Sequence, residues 1–168
     1  MDKNPFEILN VEPMPILDLA ALRKSYIEIQ RSGHPDLGND AEVSEMANQA
    51  YSLLKSDEGR MSQILQFYGT WPPDTKLIGM DFLMEAMELS EAIDDLNASG
   101  VSHKTNVENS LKSLSNELEN QLSELNKKAE NNINWQKDSQ LLDEISIWYQ
   151  RRRYITRLEK NLNGEHEL

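Results

Sequence analysis

The tripeptide His34-Pro35-Asp36 combines three residue types that suit a contact with another protein. Proline fixes its own backbone angle and keeps the preceding residue out of the helical region, so it ends a helix and stiffens the following loop. Such a loop presents an imidazole and a carboxylate, and the carboxylate suits a charge-assisted hydrogen bond to an arginine of a partner. An ordinary helix-ending turn, in which Asp36 caps the local backbone, is the alternative interpretation.

A second candidate site lies between residues 81 and 96, where two faces alternate at helical spacing. Apolar residues three and four positions apart form one face, which suits a core: Phe82, Ala86, Leu89, Ile93 and Leu96. The opposite face holds Met84, Met87, Glu91 and Asp95, with Leu83 and Glu88 on its flanks. Because methionine adapts to a partner's shape and carboxylates add charge selectivity, this face is a candidate docking surface. Packing of the same face within the molecule is the alternative.

No pattern in the sequence indicates catalysis or a bound cofactor. The carboxylates of the second site lie far along the chain from His103 and His166, and no Glu-x-x-His motif accompanies them. No nucleophile stands beside them either. The chain has no cysteine, which excludes disulfides and any zinc or cluster site held by thiolates. We therefore predict no enzyme activity, no cofactor and no metal site.

Helical periodicity runs through the chain and no strand-like alternation persists, which predicts an all-α fold. Asp18 is expected to cap a helix that ends near residue 33, and a second helix should follow the loop at 33–40. The predicted core faces are Leu19, Leu22, Tyr26 and Ile29 on the first helix, and Val43, Ala47, Ala50 and Leu54 on the second. The two helices should pack as an antiparallel hairpin, covered by short helices at 5–10 and 59–68.

The paired prolines Pro72 and Pro73 mark the predicted boundary between two domains. We expect a first domain at 1–70, a linker at 71–79 and a second domain at 80–165. Helices predicted at 80–97, 104–130 and 138–161 suggest an antiparallel three-helix bundle. The middle helix carries a stripe close to a heptad repeat: Val107, Leu111, Leu114, Leu118, Leu122, Leu125 and Ala129.

Charge and hydropathy narrow the classes of partner. The formal net charge is −12, with 29 acidic against 17 basic residues, which argues against nucleic acid because phosphate binding needs clustered lysine and arginine. No run approaches the length of about 18 apolar residues that a membrane span needs. The opening Met1-Asp2-Lys3 continues without the apolar region of a signal peptide. The expectation is a cytoplasmic protein that contacts neither nucleic acid nor membrane.

The first part of the chain resembles the J domain. An opening at 4–9 (NPFEIL), the His-Pro-Asp loop and the run at 48–54 (NQAYSLL), which fits N-x-A-Y-x-x-L, occur in the family's order. The resemblance implies docking on an ATP-bound chaperone of the HscA/DnaK type, whose ATP hydrolysis the loop promotes. The implied contacts at the loop are His34, Pro35 and Asp36.

Family J domains also present a basic face on the helix before this loop. Arg31 matches that face by position, and Lys24 falls beside it at about 100° per residue. The alternative is that both are simply solvated charges. Ser32-Gly33 replaces the basic-aromatic pair common before the loop, and the usual Asp-Pro is missing near residues 57–59, which indicates a specialised member.

The segment 81–94 resembles the corresponding helix of the HscB family, the J co-chaperones of iron–sulfur cluster assembly, where the pattern reads F-L-M-E-x-x-E-L-x-E-x-x-D/E. The family binds an IscU-type scaffold protein through this surface. Carried over by position, the implied scaffold contacts are Leu83, Met84, Met87, Glu88, Glu91 and Asp95. Met87 stands where leucine is usual. Within Arg152-Arg153-Tyr154-Ile155, Tyr154 takes the family's aromatic contact position.

The resemblance thus implies a co-chaperone that delivers a cluster scaffold to an ATPase chaperone. Two other interpretations remain open. The acidic second domain could recruit a different client, or the chain could be a helical interaction protein with an accidental His-Pro-Asp sequence.

Overall fold

The computed structural model of the protein describes residues 3–32, 41–99 and 104–164. Throughout these ranges the regular elements are helical, which confirms the predicted all-α class. The α-helices are α1 (Pro5–Ile8), α2 (Leu19–Ser32), α3 (Ala41–Leu54), α4 (Asp57–Tyr68), α5 (Met80–Ser99), α6 (Lys104–Glu130) and α7 (Ser139–Leu162). Short 3-10 turns cover Thr75–Ile78 and Trp135–Lys137.

Helices α2 and α3 form the expected antiparallel hairpin. The Tyr26 ring stacks on Tyr51 with centroids 4.6 Å apart, and the Tyr26 hydroxyl donates to Asn48 Oδ1 at 2.7 Å. One turn further on, Gln30 Nε2 donates to the Ser44 carbonyl oxygen at 2.9 Å. As residue numbers rise along α2, the numbers of the contacting residues fall along α3, so the two helices are antiparallel.

Two residues of the predicted hairpin faces are not in the core. Leu19 is 52% exposed and Val43 is 38% exposed, whereas Leu22 and Leu54 are buried. Both exposed residues lie in the first turn of their helices, at the ends of the hairpin, where the facing helix gives little cover. Periodicity alone therefore overestimates the length of the packed face.

Helix starts follow side-chain caps. Asp18 Oδ1 accepts from the Ala20 amide at 2.8 Å, which confirms the predicted cap of α2. Ser56 Oγ accepts from the Gly59 amide at 3.2 Å, so α4 begins two residues before the expected position. A serine hydroxyl at this position satisfies one of the amides that the first turn leaves unpaired.

Helices α5, α6 and α7 form the three-helix bundle. All seven residues of the α6 stripe are buried, and so are Phe82, Ala86, Leu89 and Ile93 of α5, while Leu96 is half-buried. Trp148 of α7 donates its indole N–H to the Leu118 carbonyl oxygen at 2.8 Å, which ties α7 to α6 inside the core.

The segment at 71–79 contacts α7 near its start, its middle and its end. Gln150 Nε2 donates to the Asp74 carbonyl oxygen at 3.1 Å, and Arg151 donates from two nitrogens to the Ile78 carbonyl oxygen. The Trp71 ring lies 5.8 Å from that of Tyr149. The division into 1–70, 71–79 and 80–165 stays a prediction, but its middle segment is fastened to the bundle.

Helix α4 joins the hairpin to the bundle. Its buried face contributes Met61, Ile64 and Leu65 to one continuous apolar core that also includes residues of α7. At its first turn, Glu58 Oε1 accepts from the Thr156 hydroxyl at 2.5 Å.

Candidate protein-docking surfaces

The first candidate surface centres on His34, Pro35 and Asp36, which lie outside the described residues. The helix that leads to this loop, α2, buries Leu22 and leaves Lys24 and Arg31 exposed. Lys24 Nζ lies 4.0 Å from Glu28 Oε1 with both side chains largely in solvent, so the pair is weak. The helix therefore carries Lys24 and Arg31 away from its packed face, and their role in a basic docking face stays a prediction.

The second candidate surface is the outer face of α5. Met84 is 55% exposed and Met87 is 63% exposed, although the opposite face of the same helix is in the core. Neither the hairpin nor the bundle covers these two side chains. Leu83 is half-buried and packs against the apolar core, so it borders this face and contributes only part of its side chain.

Met80 extends the same face and was not among the residues predicted from the sequence. Its side chain is 71% exposed at the first residue of α5. Met80, Met84 and Met87 stand at spacings of four and three, which places them in one stripe on a helix. The helical spacing of the three methionines could have predicted that Met80 belongs to this face. Met80 was missed because the family pattern begins at Phe82.

The carboxylates predicted for this surface are also in solvent. Glu88, Glu91 and Asp95 are exposed, and neither Glu88 nor Glu91 forms an ion pair within the described residues. Exposed carboxylates beside an apolar stripe favour a partner that carries both apolar side chains and positive charge.

Tyr154 of α7 packs against α5 through Phe82. Its ring meets the buried Phe82 edge-on, with centroids 6.2 Å apart and planes at 82°, and its side chain is 40% exposed. Phe82 supports the tyrosine from below, since edge-to-face pairs of this kind are favourable. Tyr154 thus contacts α5 although the two are far apart in sequence, and its role in a docking surface stays a prediction.

The described residues contain neither a metal-binding group nor a membrane helix. Across 3–32, 41–99 and 104–164, no three His, Asp or Glu side chains are grouped so as to hold a metal ion. Over the same ranges, no helix combines the length and apolar character needed to cross a membrane.

The described residues form an N-terminal helical hairpin joined to a three-helix bundle, with candidate docking faces on α2 and α5, an architecture that fits the co-chaperone class. Residues 79–163 match the family model described as the HSCB C-terminal oligomerisation domain. The chain belongs to the HscB family of co-chaperones.

Curated relatives agree with this assignment. A co-chaperone protein HscB homolog of Shewanella frigidimarina is 31% identical over 122 residues, which cover 66% of this chain and 67% of the relative. The J-type co-chaperone jac1, mitochondrial, of Schizosaccharomyces pombe is 30% identical over 169 residues, covering 96% of this chain and 66% of the relative. An HscB homolog of Acinetobacter baumannii is matched over 59% of its length. The chain thus spans between 59% and 67% of these relatives.

Solved structures share the fold. The crystal structure of human co-chaperone protein HscB matches with a TM-score of 0.69 and 22% identity, covering 97% of this chain and 82% of that one. Chaperone HscB from Vibrio cholerae matches with a TM-score of 0.60 and 20% identity, covering 95% and 99% respectively. At these identities the likeness concerns the fold alone, and it fits a J domain followed by a helical domain.

Proposed function

We propose that this protein stimulates the ATPase of an HscA/DnaK-type chaperone and delivers an IscU-type iron–sulfur scaffold protein to it. The supporting observation is the exposure of Met84 and Met87 on a helix whose other face is buried. An apolar stripe that nothing in the described molecule covers is typical of a protein-binding surface. ATP hydrolysis takes place in the chaperone, so this protein itself needs no catalytic group.

The scaffold end of the proposal combines three kinds of contact. Methionines of α5 provide an adaptable apolar centre, Tyr154 provides a rigid aromatic anchor, and Glu88 with Glu91 provides negative charge at the rim. Leu83 and Asp95 complete the proposed contact set at its borders. A scaffold with an apolar patch beside basic residues fits this surface.

The chaperone end depends on the loop at 34–36 and on α2. Exposed Lys24 and Arg31 give α2 a positive face on a chain of net charge −12. Oppositely charged patches speed the diffusional encounter of two proteins. The proposed partner therefore presents an acidic surface to α2, and the His-Pro-Asp loop acts after docking.

The chaperone end is tested by His34→Gln. This change keeps a polar side chain but removes the imidazole, so we expect stimulation of chaperone ATP hydrolysis in single-turnover assays to disappear. Binding of the scaffold, measured by calorimetry on the same preparation, should be unchanged because α5 is untouched. Full stimulation by the variant would refute the J-domain mechanism.

The scaffold end is tested by Met84→Ala combined with Met87→Ala. Each exposed anchor should contribute about 1 kcal/mol or more, so the double variant should weaken scaffold binding roughly 30-fold or more. Ile133→Ala is the matched control, since Ile133 is 94% exposed on the turn before α7. An unchanged dissociation constant for the double variant would contradict the assignment and favour a different client.

A further inference from the structure

A pocket of about 240 Å³ opens on α7 beside the paired prolines. Pro72 and Pro73 form one wall, while Tyr149, Arg153 and Arg157 line the other from successive turns of one helix face. Tyr154, whose ring packs on Phe82 of α5, closes one side. The packed segment at 71–79 holds the prolines in place through the hydrogen bond from Gln150 to Asp74.

Both arginines of the pocket are positioned by aromatic rings. Arg153 Cζ lies 5.8 Å from the ring centroid of Tyr149, and Arg157 Cζ lies 5.8 Å from that of Tyr154. Neither arginine forms an ion pair with a carboxylate of the described residues. Arg152 on the neighbouring face differs, because it contacts both Glu58 and Glu159.

A guanidinium that lies over a ring uses its flat face and keeps its N–H edge available. The N–H groups on that edge can donate two parallel hydrogen bonds to one carboxylate, which forms a bidentate pair. The tyrosine rings and the prolines add an apolar wall beside the two charges. The pocket therefore combines recognition of a carboxylate with space for an apolar side chain.

The charge of the whole chain restricts the occupant. At a net charge of −12 the protein repels acidic partners over most of its surface, so a small positive site selects where they bind. Two arginines are too few for a nucleic-acid backbone, whose binding requires contacts to many phosphates. A short acidic segment is the better match in charge and in size.

We propose that this pocket binds an acidic, extended peptide segment of a partner protein. A carboxylate of the segment pairs with Arg153 and Arg157, and a neighbouring apolar side chain lies between the prolines and Tyr149. This inference shares Tyr154 with the proposed scaffold contacts. Its charged contacts, Arg153 and Arg157, lie on α7 and are opposite in charge to the carboxylates of α5, so the two proposals can be tested separately.

The test uses the full chain and a fluorescein-labelled decapeptide of alternating Glu and Leu, with fluorescence anisotropy as the readout. We expect saturable binding that Arg153→Gln with Arg157→Gln weakens by about tenfold or more, because the carboxylate loses its charge-assisted hydrogen bonds. Lys112→Gln with Lys127→Gln is the matched control, because it removes the same charge from exposed positions of α6 and should leave affinity unchanged.

Trp71 provides a second readout. It is 44% exposed beside Tyr149, whereas Trp135 and Trp148 are buried, so acrylamide quenching reports mainly on the pocket. Occupation by the Glu-Leu peptide should reduce quenching, and circular dichroism should show the arginine variant folded.

Three results would overturn the inference: no binding of the Glu-Leu peptide, equal binding of a Lys-Leu peptide, or unchanged affinity of the arginine double variant. Tighter binding of a single-stranded oligonucleotide through the same arginines would also overturn it. Met84→Ala with Met87→Ala should bind the peptide normally, which separates this outcome from failure of the proposed scaffold contact.

Discussion

Arg60 is charged and yet only 3% exposed, at the junction of α3, α4 and the loop before α2. Its guanidinium donates to the Leu54 carbonyl oxygen at 2.9 Å and to the Pro15 carbonyl oxygen at 3.1 Å, and it pairs with Asp57. Burial lowers the pKa of Arg60, and the Asp57 carboxylate partly counteracts this effect. Burying the Arg60 charge costs desolvation free energy. This cost is offset by hydrogen bonds to backbone oxygens that are themselves buried.

Replacing Arg60 with methionine should lower the free energy of unfolding by about 2–4 kcal/mol. The change strands two carbonyl oxygens, which together cost about 2–6 kcal/mol at about 1–3 kcal/mol each. Because it also removes a desolvated charge, the net loss should lie in the lower part of that range. Urea denaturation followed by circular dichroism measures the loss. Asp57→Asn is the control: its side chain is 51% exposed, so solvent screens the pair and the cost should stay below about 1 kcal/mol. Equal losses from both changes would contradict this account.

Exposed apolar residues on a helix are easier to predict from the sequence than buried polar residues. Met84 and Met87 follow a helical period, so their opposition to the core face was predictable, and Met80 was missed only because the family pattern begins after it. Arg60 gives no comparable signal, because its partner Pro15 lies 45 residues away in sequence. The segment that contains Arg153 was noticed from the sequence, but its grouping with Arg157, Pro72 and Pro73 in one pocket was not, because that grouping depends on tertiary packing.

Individual helices follow from the sequence with small errors. Helix α6 has the predicted bounds, and α5 and α7 end within two residues of theirs, because apolar stripes and caps are local signals. The exposed Leu19 and Val43 were predicted to be in the core. An apolar stripe identifies the packed face of a helix, but the length of the neighbouring element decides how much of that face is buried.

The segment at 71–79 shows a second limit of local signals. Its prolines predicted a break in helix, and the chain is indeed non-helical at 71–74. Its attachment to α7 depends on Gln150 and Arg151, which lie 76 and 73 residues from their acceptors. Such pairings depend on tertiary packing. The composition of the segment is typical of a linker and therefore did not predict that it packs on α7.

The two candidate docking ends belong to one packed molecule because α4 contacts α7. Glu58 of α4 accepts from Thr156 and lies 3.8 Å from Arg152, which also contacts Glu159. The Tyr68 ring meets Trp135 edge-on at 6.1 Å near the other end of α4. A co-chaperone that binds a chaperone at one end and a client at the other benefits from such contacts, since they fix the relative placement of the two partners.

The contact between Glu58 and Thr156 should therefore be energetically coupled, and a double-mutant cycle of Glu58→Ala and Thr156→Val measures the coupling. We expect about 0.5–1.5 kcal/mol, the range for one half-buried hydrogen bond. A parallel cycle on Lys104 and Glu108, an exposed pair within α6, should give no more than about 0.5 kcal/mol.

Trp135 lies at the junction between α4 and the bundle, so loss of its fluorescence and loss of helical circular dichroism should coincide on unfolding. Separate transitions, or no coupling between Glu58 and Thr156, would mean that the hairpin and the bundle move independently and that the geometry between the two proposed partners is not fixed.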